Sequence, residues 1–294
     1  MSKRILLTGC TGGIGRHTYH YLKNEGYDIT GCCRNLDKAK ELEIDKVLEV
    51  DLTSRLSVKK MISKVNPDIV IHLAAISSPG SVRTSKEFLN NNVNATQYIL
   101  ENIEDKKIIY SSSVVVYGDQ FDCNEDYNSK PTTLYGATKM MSESLIHAAY
   151  KTYNIKHCIL RLCATVGSGM THGLIPDLQR KLKLPEATLF GRKPGSAKPY
   201  IHIDDVVRII EMSLANKFSR TTMNVCTKGI LTVDQIRSMF DPSNQCNITW
   251  DATKVFKGDN KTIDCRNNKL CSHYNMKYPT SKEVIEAIVR QSNA

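Results

Sequence analysis

Short apolar runs and longer stretches of helical spacing alternate through the first half of the chain. Residues 4–8, 28–33, 46–50, 69–73, 107–110 and 156–161 read as strands, and 14–24, 56–65, 86–102 and 134–153 read as helices between them. Strands separated by whole helices are joined by crossovers, so they run parallel with helices on both faces. The rhythm predicts an α/β fold built on a doubly wound parallel sheet, Rossmann-like, with a smaller C-terminal lobe. Past Arg161 the pattern breaks. Gly167, Gly169, Gly173, Pro176, Pro185, Gly191, Pro194, Gly195 and Pro199 punctuate a loop-rich stretch with one helix near 177–184. Strand then helix return across 199–210, and 281–290 reads as an amphipathic helix with Ser281 as its cap.

The first strand and first helix are joined by Thr8-Gly9-Cys10-Thr11-Gly12-Gly13-Ile14-Gly15-Arg16. Glycines at 9, 12 and 15 give a tight turn, let backbone amides approach a pyrophosphate, and allow the helix to pack closely on the sheet. This is the pattern of a dinucleotide site. The second strand then decides which dinucleotide, because its end lies beside the adenosine ribose: an acid there selects NAD, and an Arg accommodates a 2′-phosphate. Here it ends Cys32-Cys33-Arg34-Asn35 with no acid before Asp37. With Arg16 just past the third glycine, NADP is the expected cofactor and NAD the lesser choice; the other reading of Arg34 is a solvated strand-end charge. Asp51-Leu52, after the third strand, suits either the adenine edge or the acidic N-cap of the next helix.

Tyr135-Gly136-Ala137-Thr138-Lys139 opens the longest helical pattern, so Tyr135 and Lys139 share one face. A phenol of pKa near 10 is a poor acid or base at neutral pH unless a neighbouring cation stabilises its phenolate, which is the part Lys139 would play. Upstream, the fifth strand runs into Ser111-Ser112-Ser113, placing hydroxyls at its C-terminal end, where doubly wound sheets bind ligands.

With these motifs in this order, the chain resembles an extended short-chain dehydrogenase/reductase, the branch that modifies nucleotide sugars. The likeness covers nearly the whole length and includes Asp51-Leu52, His72-Leu73-Ala74-Ala75, Asn92-Val93-x-Ala95-Thr96, Arg161-Leu162 and Pro199-Tyr200-Ile201-His202-Ile203-Asp204-Asp205. The resemblance implies that Ser113, Tyr135 and Lys139 are catalytic. It implies that Gly9, Thr11, Gly12, Gly13, Ile14, Gly15, Arg16, Arg34, Asp51, Leu52, Leu73, Ala74, Ala75, Ser111, Tyr135, Lys139 and Leu162 meet the cofactor. Ser78, Ser113, Tyr135 and Lys198 would meet the substrate, with a plain loop role the alternative for Ser77 and Ser78, and Lys257-Gly258-Asp259 falls where relatives touch the nucleotide. It also implies an NADP-binding domain of residues 1–163 plus 199–226, a sugar-nucleotide lobe of 164–198 plus 227–294, and a homodimer formed through the helices at 86–102 and 134–153.

The departures narrow the chemistry. Relatives that dehydrate sugars carry an Asp-Glu pair where this chain has Val114-Val115, and two valines cannot shuttle protons. Relatives that epimerise C3 and C5 carry a Cys where Val115 stands. Ala164 replaces an Asn that contacts substrate, and Lys198 puts a point charge where an Arg fork grips phosphate. The leading expectation is therefore an NADPH-dependent reductase of a nucleotide-linked 4-keto (6-deoxy) sugar. A nucleotide-sugar 4-epimerase using the same three residues is the alternative, and a non-catalytic dinucleotide-binding regulatory protein is a remote third.

Composition adds limits. The 294 residues hold 40 Lys and Arg against 30 Asp and Glu, a net charge of +10 that suits nucleic acid, a phosphorylated small molecule or an uninformative surface alike. The motifs give a few of these charges to phosphates, so neither nucleic acid nor membrane is an expected partner. No apolar run approaches the roughly 20 residues of a membrane span. The start of the chain is not that of a signal peptide, giving a cytoplasmic expectation. Ten cysteines contain no C-x-x-C pair and the eight histidines no H-x-x-x-H, so buried free thiols are expected and no metal.

Overall fold

Seven strands alternate with helices to make the centre of the protein. In chain order they are β1 (Arg4–Thr8), β2 (Asp28–Cys33), β3 (Val47–Glu49), β4 (Ile69–His72), β5 (Lys107–Ser113), β7 (Lys156–Leu162) and β12 (Thr221–Val225). All neighbours pair in parallel, in the order β3-β2-β1-β4-β5-β7-β12. The computed structural model describes residues 3–77, 84–254, 261–275 and 277–293. The doubly wound sheet expected from the alternating pattern is thus present, and the chain reverses its direction of winding between β1 and β4.

Alternate residues of each strand face opposite sides, so the sheet separates two cores. Ile5, Leu7, Ile71, Ile109 and Leu160 point into one. Leu6, Val70, Ile108, Tyr110 and Ile159 point into the other. The first is covered by α1 (Gly13–Asn24), α8 (Ile203–Met212) and α10 (Asn268–Tyr274). The second is covered by α3 (Arg55–Val65), α5 (Ala95–Leu100) and α6 (Leu134–Tyr153). A third cluster lies in the C-terminal part of the chain, where α7 (Leu174–Lys181), α9 (Val233–Phe240) and α11 (Ser281–Asn293) bury Ile175, Leu178, Ile236, Ile285 and Ile288.

Among the described residues, four two-stranded pairs lie outside the central sheet. β8 (Ala164–Val166) pairs with β11 (Tyr200–His202), and β6 (Gln120–Cys123) pairs with β15 (Ile263–Cys265). β9 (Glu186–Phe190) pairs with β14 (Asn247–Asp251), and β10 (Ala197–Lys198) with β13 (Leu231–Thr232). Nine of the ten cysteines are buried. No described helix is long and apolar enough to cross a membrane.

Three features depart from the sequence expectation. β12 carries Thr221, Thr222 and Asn224 and so lacks an apolar signature. Asn224 is nevertheless fully buried, because its amide donates to the carbonyls of Cys123 and Arg266 and its oxygen accepts from Tyr117. The helix expected at 86–102 is α4 (Ser85–Phe88), a π turn (Leu89–Asn94) and α5 in succession. The cap of α11 is Thr280, which shares a reciprocal pair of hydrogen bonds with Glu283, whereas Ser281 turns inward to accept from Tyr200 N and donate to Gly229 O.

Ile71 is fully buried in the central strand β4. Ile71→Ala leaves a cavity that the paired strands cannot close, and it is expected to cost about 2–5 kcal/mol of stability, read from the urea midpoint at unchanged slope.

Candidate active site

The reversal between β1 and β4 opens a crevice at the C-terminal ends of the strands, and the glycine turn fills one side of it. Gly9 has φ +72°, and a Cβ there would lie 2.9 Å from Ala74 N and Cα. At Gly15 a Cβ would run into the Gly9 carbonyl. The turn is closed by Gly12 N donating to Gly9 O at 3.0 Å, and α1 starts at Gly13 with no side chain capping its amides. Free amides at a helix N-terminus, reached through side-chain-free backbone, are what a dinucleotide pyrophosphate requires, so these residues fit that group. Thr11 and Ile14 flank the turn, half-buried.

Arg16 lies on the first turn of α1, and its guanidinium donates to the carbonyl of Gly169. His17 meets Ser168 O at 3.0 Å, and Met170 Sδ sits 2.8 Å from where a Cβ on Gly13 would be. A strap from β8 toward α7 therefore folds onto the glycine turn and engages one arm of the Arg16 guanidinium.

At the end of β2, Cys33 is buried and Arg34 is exposed, with no hydrogen bond or ion pair to any described residue. Asn35 caps α2 (Leu36–Glu41) by accepting from Lys38 N at 2.9 Å. Asp51 does not cap α3: its Oδ1 accepts from Thr53 N and Oγ1, and Ser54 is the cap. Leu52 is half-buried beside it.

Across the crevice stands α6, capped by Thr133, whose hydroxyl accepts from Gly136 N at 2.9 Å. Its first turns carry Tyr135 and Lys139. Lys139 is 1 % exposed, donates from Nζ to Ser111 O at 2.6 Å, and lies 5.7 Å from the Tyr135 ring and 4.7 Å from the Tyr110 ring. Burial lowers its pKa to about 7, and the nearby Glu143 charge opposes the fall. Burial pushes Tyr135 up to about 12. Ser113, half-buried at the end of β5, accepts from Val115 N and donates to Leu162 O, both at 3.4 Å. The structure thus gathers Tyr135, Lys139, Ser111, Ser113 and Leu162 at the end of β5. Ser78 and Lys257-Gly258-Asp259 lie outside the described residues, and Lys198 stands in β10 opposite Leu231.

Beneath Leu73, Ala74 and Ala75 runs a buried relay that motif reading alone did not show. Thr96 donates to Asn92 O at 2.6 Å, so it accepts from His72 Nε2 at 3.1 Å. Nδ1 is left to accept from Thr8 Oγ1 at 2.7 Å, and Thr8 in turn accepts from Ala74 N. Asn92 completes the floor, accepting from Ile76 N and donating to Ile76 O and Thr138 Oγ1. The sequence signal was polar residues, Thr8, His72 and Asn92, at positions that strand and helix periodicity turn inward.

Residues 5–226 match the family model described as the NAD dependent epimerase/dehydratase family. The chain belongs to that family. It is an enzyme of the extended short-chain dehydrogenase/reductase type, and its cofactor class is a nicotinamide dinucleotide. Among curated relatives, a bifunctional UDP-glucose 4-epimerase and UDP-xylose 4-epimerase of Arabidopsis thaliana is 28% identical over 315 residues, covering 89% of each chain. A UDP-glucose 4-epimerase of Pisum sativum is 30% identical over 246 residues, 70% of this chain and 69% of the relative. The fold is shared with the UDP-glucose 4-epimerase of Thermus thermophilus in complex with NAD, at TM-score 0.85 and 21% identity over 99% of both chains.

In this member of the epimerase/dehydratase family the relay has a consequence for stability. Burial lowers His72 to about 3. The unfolded chain binds a proton there below about pH 6.5 and the folded chain does not until about pH 3, so stability falls as pH drops through that window. The urea midpoint should decline from pH 7 to pH 4, and in His72→Gln the decline should be shallower; an unchanged slope would count against a neutral His72.

Proposed function

We propose that this chain is a nucleotide-sugar 4-epimerase. The observation that carries the reading is the retention of Ser113, Tyr135 and Lys139 in a chain similar over 69–89% of its length to UDP-sugar 4-epimerases. This reverses the order of the sequence expectation, in which a 4-keto sugar reductase came first.

A bound nicotinamide dinucleotide supplies a place for hydride to leave C4 and return. The chain's own residues do the rest. Tyr135 takes the proton of the C4 hydroxyl and gives it back, and Ser113 holds the same oxygen from the end of β5. Tyr135 can act as a base near neutral pH only when its phenolate is stabilised, and burial alone works against that by raising its pKa to about 12. Lys139, 5.7 Å from the ring, is the cation placed to oppose it. Inversion at C4 needs the keto sugar to present its other face, so the sugar must be held more loosely than its nucleotide. Ala164 in place of a longer polar side chain suits that requirement. Leu89, Leu134 and Met141, exposed on the two helices expected to form a dimer, support assembly through those faces.

One observation favours the second reading, an NADPH-dependent reductase of a nucleotide-linked 4-keto sugar. Arg34 is an unengaged cation where a 2′-phosphate would lie, and no acid ends β2. Incubation with UDP-glucose, UDP-xylose and UDP-glucuronic acid decides between them. The epimerase reading expects conversion of at least one to its C4 epimer without net oxidation of added cofactor, and a loss of about 10²–10⁴ in turnover in Tyr135→Phe. Consumption of NADPH only with 4-keto sugar nucleotides would establish the reductase instead. Arg34→Asp is expected to weaken NADP binding at least about tenfold, and NAD binding much less, by calorimetry; equal effects on both would remove Arg34 from cofactor selection.

A further inference from the structure

Lys139 and Glu143 are one turn apart on the face of α6 that packs against β5, and they hold consecutive residues of that strand. Lys139 donates to Ser111 O at 2.6 Å, and Ser112 Oγ donates to Glu143 Oε1. Glu143 is 4 % exposed. Its carboxylate is gripped from β7 by Arg161, with Nη2 at 2.8 Å from Oε2 and Nε at 3.1 Å from Oε1. The free arm of that guanidinium donates to Tyr117 OH at 2.7 Å. A carboxylate buried this deeply is costly to the fold and takes no part in the proton transfer assigned to Tyr135.

We propose that Glu143 is a positioning residue for the acid-base pair: its buried negative charge keeps Lys139 cationic beside Tyr135, and its bond to Ser112 fixes the strand end that carries Ser113. The inference rests on the reading of Tyr135 and Lys139 as the acid-base pair and on no particular sugar. The surroundings of Lys139 contain no other anion to do this among the described residues. From β5 it faces the Tyr110 ring, from β4 the imidazole of His72, which burial keeps neutral, and from its own helix Tyr135 and Glu143. His147, one turn further along, has its pKa lowered by burial and feels both Glu143 and Arg161. Arg161 is the other charge bonded to Glu143 among the described residues, and its fork is spent on Glu143, Tyr117 and the Glu125 carbonyl. Arg161 therefore holds the carboxylate in place one turn from Lys139. A neutral isostere at 143 removes the charge and keeps an acceptor for Ser112.

The test is a titration of the whole chain without nucleotide, with lysine labelled with carbon-13 at Cε. The Lys139 signal is the one missing from Lys139→Met. In Glu143→Gln its midpoint is expected to fall by about one pH unit or more. Because that variant leaves Arg161 buried without its partner, Glu143→Gln/Arg161→Gln is measured beside it; loss of the Arg161 charge offsets part of the effect, so a smaller fall in the same direction is expected there in a chain of recovered stability. With substrate, the pH at which kcat declines on the alkaline side should move down by the same amount while KM for the sugar nucleotide stays within about twofold. A Lys139 midpoint unchanged in both folded variants overturns the proposal and leaves Glu143 as a structural tie. Since the titration uses no substrate, that failure is separable from a chain that turns over no UDP-sugar, which would overturn the functional reading instead.

Discussion

The close approach of two chain reversals governs the rest of this protein. β1 and β4 are neighbours whose following segments leave toward opposite faces of the sheet, and the backbone at Gly9 comes within contact of the backbone at Ala74. A methyl group between them would force the glycine turn and the Leu73–Ala75 segment apart. The Thr8–His72–Thr96 relay lies directly below this contact and converts three buried polar side chains into a fully paired chain of donors and acceptors. Steric closeness above and hydrogen-bond completeness below therefore set the width of the crevice, and with it the distance between the helix end that meets phosphates and the helix that carries the phenol.

That second helix acts as a ruler. Tyr135, Lys139 and Glu143 recur every four residues, so a single rigid element sets the spacing of phenol, amine and carboxylate along the end of β5. Burying an amine and a carboxylate is unfavourable taken singly, and each is tolerated because specific partners replace water: the Ser111 carbonyl for Lys139, Ser112 and the Arg161 fork for Glu143. The same substitution of fixed dipoles for solvent leaves the site electrostatically prearranged, with little reorganisation left for the reacting groups to drive.

Much of this was legible from residue patterns because the relevant signals are local. The strands β1, β2 and β4, the helix α6 from Leu134 to Tyr153 and the glycine turn announce themselves through periodicity and spacing within a dozen residues. What escaped reading depends on distant partners. β12 is polar in sequence and is buried only because Tyr117, Cys123 and Arg266 complete Asn224. The contact of Arg16 with the Gly169 carbonyl depends on the strap from Gly167 onward, which lies more than 150 residues away in sequence. Asp51 and Ser281 are each plausible caps by type, and the neighbours Ser54 and Thr280 have the backbone placement to do it. The order of reductase and epimerase is underdetermined for a related reason: three side chains common to both reactions do not encode which face of C4 the hydride regains.

The π turn at Leu89–Asn94 carries its own consequence. By widening one turn it directs the Asn92 carbonyl to the hydroxyls of Thr96 and Ser142, in a helix that otherwise spends its carbonyls on its own amides. Seen as a sequence, this is one residue more than regular α-helix needs between Phe88 and Ala95. Deleting it would restore ideal winding and rotate everything after it by about 100°, swinging Thr96 away from His72 and turning the apolar stripe of Ile99 and Leu100 out of the core. The length of this segment is consequently as constrained as its composition, and an insertion or deletion there is a change of phase more than a change of size.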